Sequence, residues 1–158
     1  MVDGARCAVI NGRIYRLLNV KPRKNARMRI GAIPCQPEPD PETGVWPHWI
    51  PVNPKNPEDK WVAAAWLNTV WADKDGEYEA VGPHFRGNPY GLDEDFLEPR
   101  GRIKIHDCPR DYEGIKEYLR THQIEGIVFW RDGEPVCKIK RRDFGFDWPV
   151  NWEDDTDA

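Results

Sequence analysis

No stretch of the 158-residue chain approaches the roughly 18 consecutive apolar residues of a membrane-spanning helix. The first twenty positions carry Asp3, Arg6, Arg13 and Arg16, which argues against a secretory leader. A cytoplasmic protein without membrane contact is expected. Cysteine is sparse: Cys7, Cys35, Cys108 and Cys137 stand far apart, with no CxxC and no Cys/His ligand spacing. That pattern excludes a zinc knuckle and reads as reduced, buried thiols. Neither GxxxxGK[ST] nor GxGxxG occurs, so no glycine-rich phosphate loop is available. Long helices are excluded as well, because 15 prolines and 13 glycines interrupt the chain too often for a bundle or coiled coil.

What is present fits one domain, since a chain of this length buries roughly two-thirds of its extended surface. The net charge of -4 conceals a pattern. Glu153, Asp154, Asp155 and Asp157 lie in the tail, so residues 1–150 form a neutral domain and 151–158 an acidic, solvated end. Arg13, Arg16, Lys21, Arg23, Lys24, Arg27 and Arg29 make a first basic block without an acid, and Lys138, Lys140, Arg141 and Arg142 a second. Two basic blocks on a neutral body suggest a polyanionic partner.

Apolar runs flank Asn11-Gly12 and Asp132-Gly133, the favoured corners of two-residue hairpins. Residues 5–10 and 13–18 are therefore expected to pair, as are 125–131 and 135–141. Within the second hairpin Lys138 and Lys140 are two apart and share one face, opposite Cys137 and Ile139. Residues 34–60 hold eight prolines and read as an irregular, packed excursion anchored by Trp46, Trp49 and Ile50. "WVAAAWLNTVWA" from Trp61 to Ala72 is ambiguous by period; with the turn at Asp73–Glu77 and "YEAVG" behind it, strands meeting at a corner are favoured. "PRDYEGIKEYLRTH" fits a short helix capped by Asp111, with Ile115, Tyr118 and Leu119 on one face.

Glu125 beside Lys138 and Lys140 is an ordinary salt-bridge ladder or, in apolar company, a pair of ammonium groups able to orient phosphates. Glu125 could then position a ribose hydroxyl, a metal ion or one of those lysines. "VDGAR" is by itself an ordinary turn. Taken in order, "MVDGARC", "YEAVGPHFRGNPYGL", "EGIVFW" and "CKIKRRDFGFDWP" carry more. This set resembles the covalent nucleotidyltransferase superfamily of RNA and DNA ligases and capping enzymes. It is most similar to a compact RNA ligase family whose animal member seals 5'-phosphate to 3'-hydroxyl RNA ends.

The resemblance implies an α+β adenylyltransferase (ATP-grasp-like) domain with two antiparallel sheets around a cleft, N-terminally truncated here. It implies ATP with Mg or Mn as cofactors, RNA ends as partners, a role in RNA repair and a monomeric chain. In such enzymes a motif lysine attacks the α-phosphate of ATP; the AMP passes to the RNA 5'-phosphate and the 3'-hydroxyl displaces it. Carried over, Asp3, Gly4 and Arg6 follow the nucleophile and contact the nucleotide. Glu79 and Glu125 act near the nucleotide and metal, Lys138 and Lys140 bind phosphate, and Phe85 either stacks on adenine or belongs to the core. All five of Asp3, Glu79, Glu125, Lys138 and Lys140 should then face one groove. Arg86 and Asn88 occupy a loop that could present polar groups to a nucleotide or be a plain turn. Trp46, Trp49 and Trp61 read better as core anchors than as platforms for RNA bases. The departure lies at the nucleophile, where the chain has Met1; a thioether cannot form the phosphoramidate. Truncation, by a start placed inside a longer gene or a fragment cut at the motif, is the favoured explanation, with a catalytically inactive nucleotide- or nucleic-acid-binding module as the rival reading.

Overall fold

The computed structural model describes residues 1–21, 30–69 and 72–151. Arg23, Lys24, Arg27 and Arg29 of the first basic block, and the acidic tail from Trp152, lie outside those residues.

Both expected hairpins are present. β1 (Ala5–Ile10) and β2 (Arg13–Val20) turn at Asn11 and Gly12, whose φ values of 51° and 72° suit the corner these residue types tolerate. Asp75 holds the corner by accepting from both backbone amides, at 2.7 Å from Asn11 and 3.1 Å from Gly12. Together with β3 (Ile33–Pro34), β4 (Trp46–Pro51), β5 (Gly76–Val81) and β6 (Phe96–Pro99) they form a six-stranded sheet in the order β3-β4-β2-β1-β5-β6. Every pairing among its described strands is antiparallel.

The strand Trp46–Pro51 corrects the reading of 34–60 as wholly irregular. Its prolines argue against a strand, since proline cannot donate to a ladder. Yet β4 is flanked on its outer side by only two residues of β3, so missing donors cost little there. Alternation then does its usual work. Trp49 packs with Ala8 and Tyr15 on one face, while His48 is buried on the other.

A second correction concerns Trp61 to Ala72, where strands were favoured. Lys60–Leu67 is a helix, α1, which lays Val62, Ala63 and Ala65 on the sheet face carrying Cys7, Val9, Ile14, Tyr78 and Ala80. Three consecutive alanines erase any period in the sequence while being the strongest helix formers, so the pattern was silent where the propensity spoke. Asp59 at its N-terminus is buried and satisfied by Arg16 Nε at 2.5 Å and the Asn53 amide at 2.9 Å.

The smaller unit is the hairpin of β7 (Gly126–Arg131) and β8 (Glu134–Lys140), closed by Asp132 and Gly133. It packs on α2 (Tyr112–Thr121), where Ile115 and Leu119 meet Ile127, Phe129 and Ile139. As expected, Asp111 caps α2 by accepting from the Gly114 amide at 2.6 Å. The fold is therefore α+β with two antiparallel sheets. One member of the second basic block is structural: Arg141, 6% exposed, donates to the carbonyls of Asp147, Leu119 and His122. No helix among the described residues is long and apolar enough to cross a membrane.

Candidate functional site

The register of β1 decides what faces the site. Cys7, pairing with Tyr78, points into the core beneath α1, so Arg6 and its partner Glu79 point the other way. Just upstream, Gly4 is pressed on β5: a Cβ there would lie 2.6 Å from the Ala80 carbonyl oxygen and 3.0 Å from Glu79 Cβ. Only glycine lets the segment 1–4 approach this closely.

Asp3 is fixed from two directions. Its amide donates to the Tyr90 hydroxyl at 2.7 Å, and its carboxylate accepts from Trp148 Nε1 at 2.8 Å. The Met1 amino group donates to the Gly126 carbonyl at 2.7 Å, which ties this segment to the start of β7. Tyr90 stands among Asp3, Glu125 and Glu79; burial, reinforced by those carboxylates, pushes its phenol up to about 12. Asp3 thus meets Tyr90 directly, while Glu79 and Glu125, far apart in sequence, act on its hydroxyl through their charge.

Lys140 joins this group through an ion pair of 2.6 Å with Glu125, both side chains largely enclosed. Lys138 shares its face of β8, opposite Val128 as Lys140 is opposite Gly126, and stands exposed. Phe85 lies in the core with Cys7, Val62 and Leu97, only 7% exposed.

Glu79 is buried in cationic company. Arg100 Nε lies 3.4 Å from it, and Arg6 and Arg86 also act on it. Burial nevertheless outweighs these charges and pushes its carboxyl up to about 7, with Asp3 adding in the same direction. Arg6 and Arg100 both pair with Glu77, and this drives the Glu77 carboxyl below its usual range against its own desolvation. Arg86, at φ 51°, reaches back to donate from Nε to the Gly4 carbonyl at 3.2 Å.

Tyr90, Trp148 and Arg100 had no role in the sequence reading. Tyr90 lies inside the GNPYGL stretch and Trp148 inside the closing WP, but no spacing announces that two aromatics will grip Asp3. Arg100 carries no local signal at all.

Among the described residues no three Asp, Glu, His or Cys side chains gather as a metal cage. Glu79 faces guanidinium groups and Glu125 an ammonium, so these two carboxylates do not fit a preformed protein-only metal site. The cations here are Arg100 and Arg6 about Glu77 and Glu79, and Lys140 on Glu125.

These contacts bring the Asp3 segment, Tyr90, Trp148 and the Lys140–Glu125 pair together as the candidate site. The chain is similar to RNA ligase 1 of Danio rerio, at 28% identity over 146 residues, covering 72% of this chain and 45% of that protein. It is also similar to RNA ligase 1 of Rattus norvegicus and of Mus musculus, each at 35% identity over 82 residues, 46% of this chain and 25% of theirs. Homology to RNA ligases in these species supports, at family level, the resemblance read from the motifs. No protein-family model matches the chain. It spans less than half the length of these curated relatives.

Proposed function

We propose that this chain is an RNA-ligase-like adenylyltransferase domain, related to the ATP-grasp-like architecture expected from the motifs, that binds ATP and RNA ends non-covalently. The observation that carries the reading is the tie of the Asp3 segment to Tyr90, Trp148 and the Gly126 carbonyl, beside which Lys140 is held on Glu125. Lys140 and Lys138 would meet the nucleotide phosphates, Glu125 would fix the lysine or a ribose hydroxyl, and Arg6 would contact ribose or phosphate. Asp3 and Gly4 would shape the floor. Phe85 would support the pocket from the core and not by an open ring face, given its burial. Mg or Mn, where bound, would shield phosphate charge, carried mainly by the phosphates with at most one carboxylate such as Glu79 or Glu125.

The covalent step needs an amine at the position of Met1, and a thioether forms no phosphoramidate. The second reading, full ATP-dependent joining of 5'-phosphate to 3'-hydroxyl RNA ends, follows from the motif resemblance, has relatives named as RNA ligases, and requires a lysine there.

Calorimetric titration with ATP, run beside incubation with ATP labelled at the α-phosphate, tests the first reading. ATP should bind, no acid-stable protein-AMP adduct should form, and Lys140→Ala should weaken ATP binding by about tenfold, as loss of a charge-assisted contact does. Absent binding, or unchanged affinity in Lys140→Ala, refutes the nucleotide assignment. An adduct on the chain as it stands refutes the non-covalent reading.

A further inference from the structure

The pairing of β1 with β2 ends at Cys7 and Arg16. Beyond that point Ala5 and Arg6 remain paired with β5, whereas Leu17 to Val20 pair with β4. The sheet therefore forks, and the fork opens into a groove of about 690 Å³. Arg6, Arg16 and Arg86 line it together with Trp61 and His84, and Glu58 is the acid among its lining side chains.

Arg6 and Arg86 of its lining also act on Glu79, which relates the groove to the candidate site above. Arg86 is anchored through Nε to Gly4, and the Arg6 Nε is buried without a protein partner. The His84 and Trp61 rings stack with centroids 3.4 Å apart and planes within 11°. His84 is held from below by Asp95, which accepts from its Nδ1 at 2.6 Å and from its backbone amide at 3.1 Å. The Lys60 ammonium lies 4.5 Å from the Trp61 ring centre. Trp61 is 38% exposed and the His84 side chain 40%, unusual for rings fixed this firmly.

Arg16 is engaged by Glu58 and Asp59 and Arg6 by Glu77, so the groove is not a simple cationic patch. Fixed ring faces with a few guanidinium donors suit a strand that offers bases as well as phosphates. We infer that the fork groove seats a single-stranded RNA end, with a base stacked on the His84–Trp61 pair and a phosphate near Arg86. This rests on the reading of the cleft as a nucleotide site, and it adds where the strand leaves that cleft.

The test uses a fluorescein-labelled 12-nucleotide single-stranded RNA with a 5'-phosphate, titrated by anisotropy, with ATP titrated in parallel. His84→Ala should weaken RNA binding about fivefold or more, the scale of losing one base stack, while ATP affinity stays within twofold. His84→Phe, which keeps a ring and drops the imidazole, should restore most of it. Arg86→Gln should weaken RNA binding and reduce its salt dependence. RNA binding unaffected by His84→Ala in a protein with an unchanged melting temperature overturns the groove assignment and leaves the cleft reading intact. Equal losses for RNA and ATP also overturn it, assigning the rings to the mononucleotide. If the parent chain binds ATP but no RNA, the groove inference fails alone; if it binds neither, both fail.

Discussion

Glu79→Gln is the substitution that separates burial from ion pairing in the cleft. A carboxyl raised from the usual 4.5 to about 7 lets the folded chain keep a proton that the unfolded chain has released. The contribution of Glu79 to stability therefore falls as pH rises from about 4.5 to about 7, and above that window it amounts to a penalty of about 3 kcal/mol at most. Glutamine has the same shape and no charge to desolvate. It surrenders the 3.4 Å approach of Arg100, but Arg100 keeps Glu77. Above pH 7 the variant should thus be more stable than the parent by about 1 to 3 kcal/mol, a shift of roughly 2–4 °C in Tm per kcal/mol at this size.

Thermal or urea unfolding of both proteins between pH 4 and 8 measures the difference directly. Other titrating groups, such as Glu77, whose depressed carboxyl adds stability that is lost only as pH falls, cancel between the two curves. The curves should coincide near pH 4 and separate through pH 5 to 7. A Glu79→Gln protein less stable than the parent at pH 8 would refute the reasoning, because it would mean that Arg6, Arg86 and Arg100 outweigh desolvation.

Two further outcomes follow from the geometry. Gly4→Ala should lose about 1 to 3 kcal/mol in thermal unfolding and lose ATP affinity with it, since its Cβ would crowd the Ala80 carbonyl and Glu79 on which the floor is built. Asp111→Ala should cost about 1 kcal/mol by removing the cap of α2 and leave ATP affinity unchanged, because α2 supports the small sheet from the side of Ile115 and Leu119; melting and calorimetry on the same sample decide both points.

The elements that were legible in the sequence are those whose signal is local. Asn11-Gly12 and Asp132-Gly133 carry positive φ values that few residue pairs accept, so both hairpins could be drawn before any contact was known. Asp111 announces α2 in the same way. The strand at Trp46–Pro51 was hidden because its evidence is a pairing with β2 some thirty residues away, against which Pro47 and Pro51 argue locally. For α1, the alanines at 63, 64 and 65 left the buried face unmarked. At the candidate site the motifs named residue types and no geometry: nothing near Tyr90, Trp148 or Arg100 in sequence says that the first two will meet Asp3 and the third Glu79.

The register that folds the sheet also builds the cleft. β1 is paired on both sides, and its alternation buries Cys7 and Val9 beneath α1, which forces Arg6 to the opposite face beside Glu77 and Glu79. A slip of one residue would exchange the faces, driving the Arg6 guanidinium into the cluster of Val62, Ala65 and Leu97 and carrying Cys7 out. The burial of those apolar groups therefore holds Arg6 opposite Glu79 without any bond made for that purpose. The fork follows from the same alignment, since β1 stays with β5 through Ala5 while β2 stays with β4 through Val20, and the space between them can be closed only by breaking one of those ladders. The groove is thus a consequence of strand pairing, as fixed as the sheet itself, and substitutions along its walls should change what it binds without moving it.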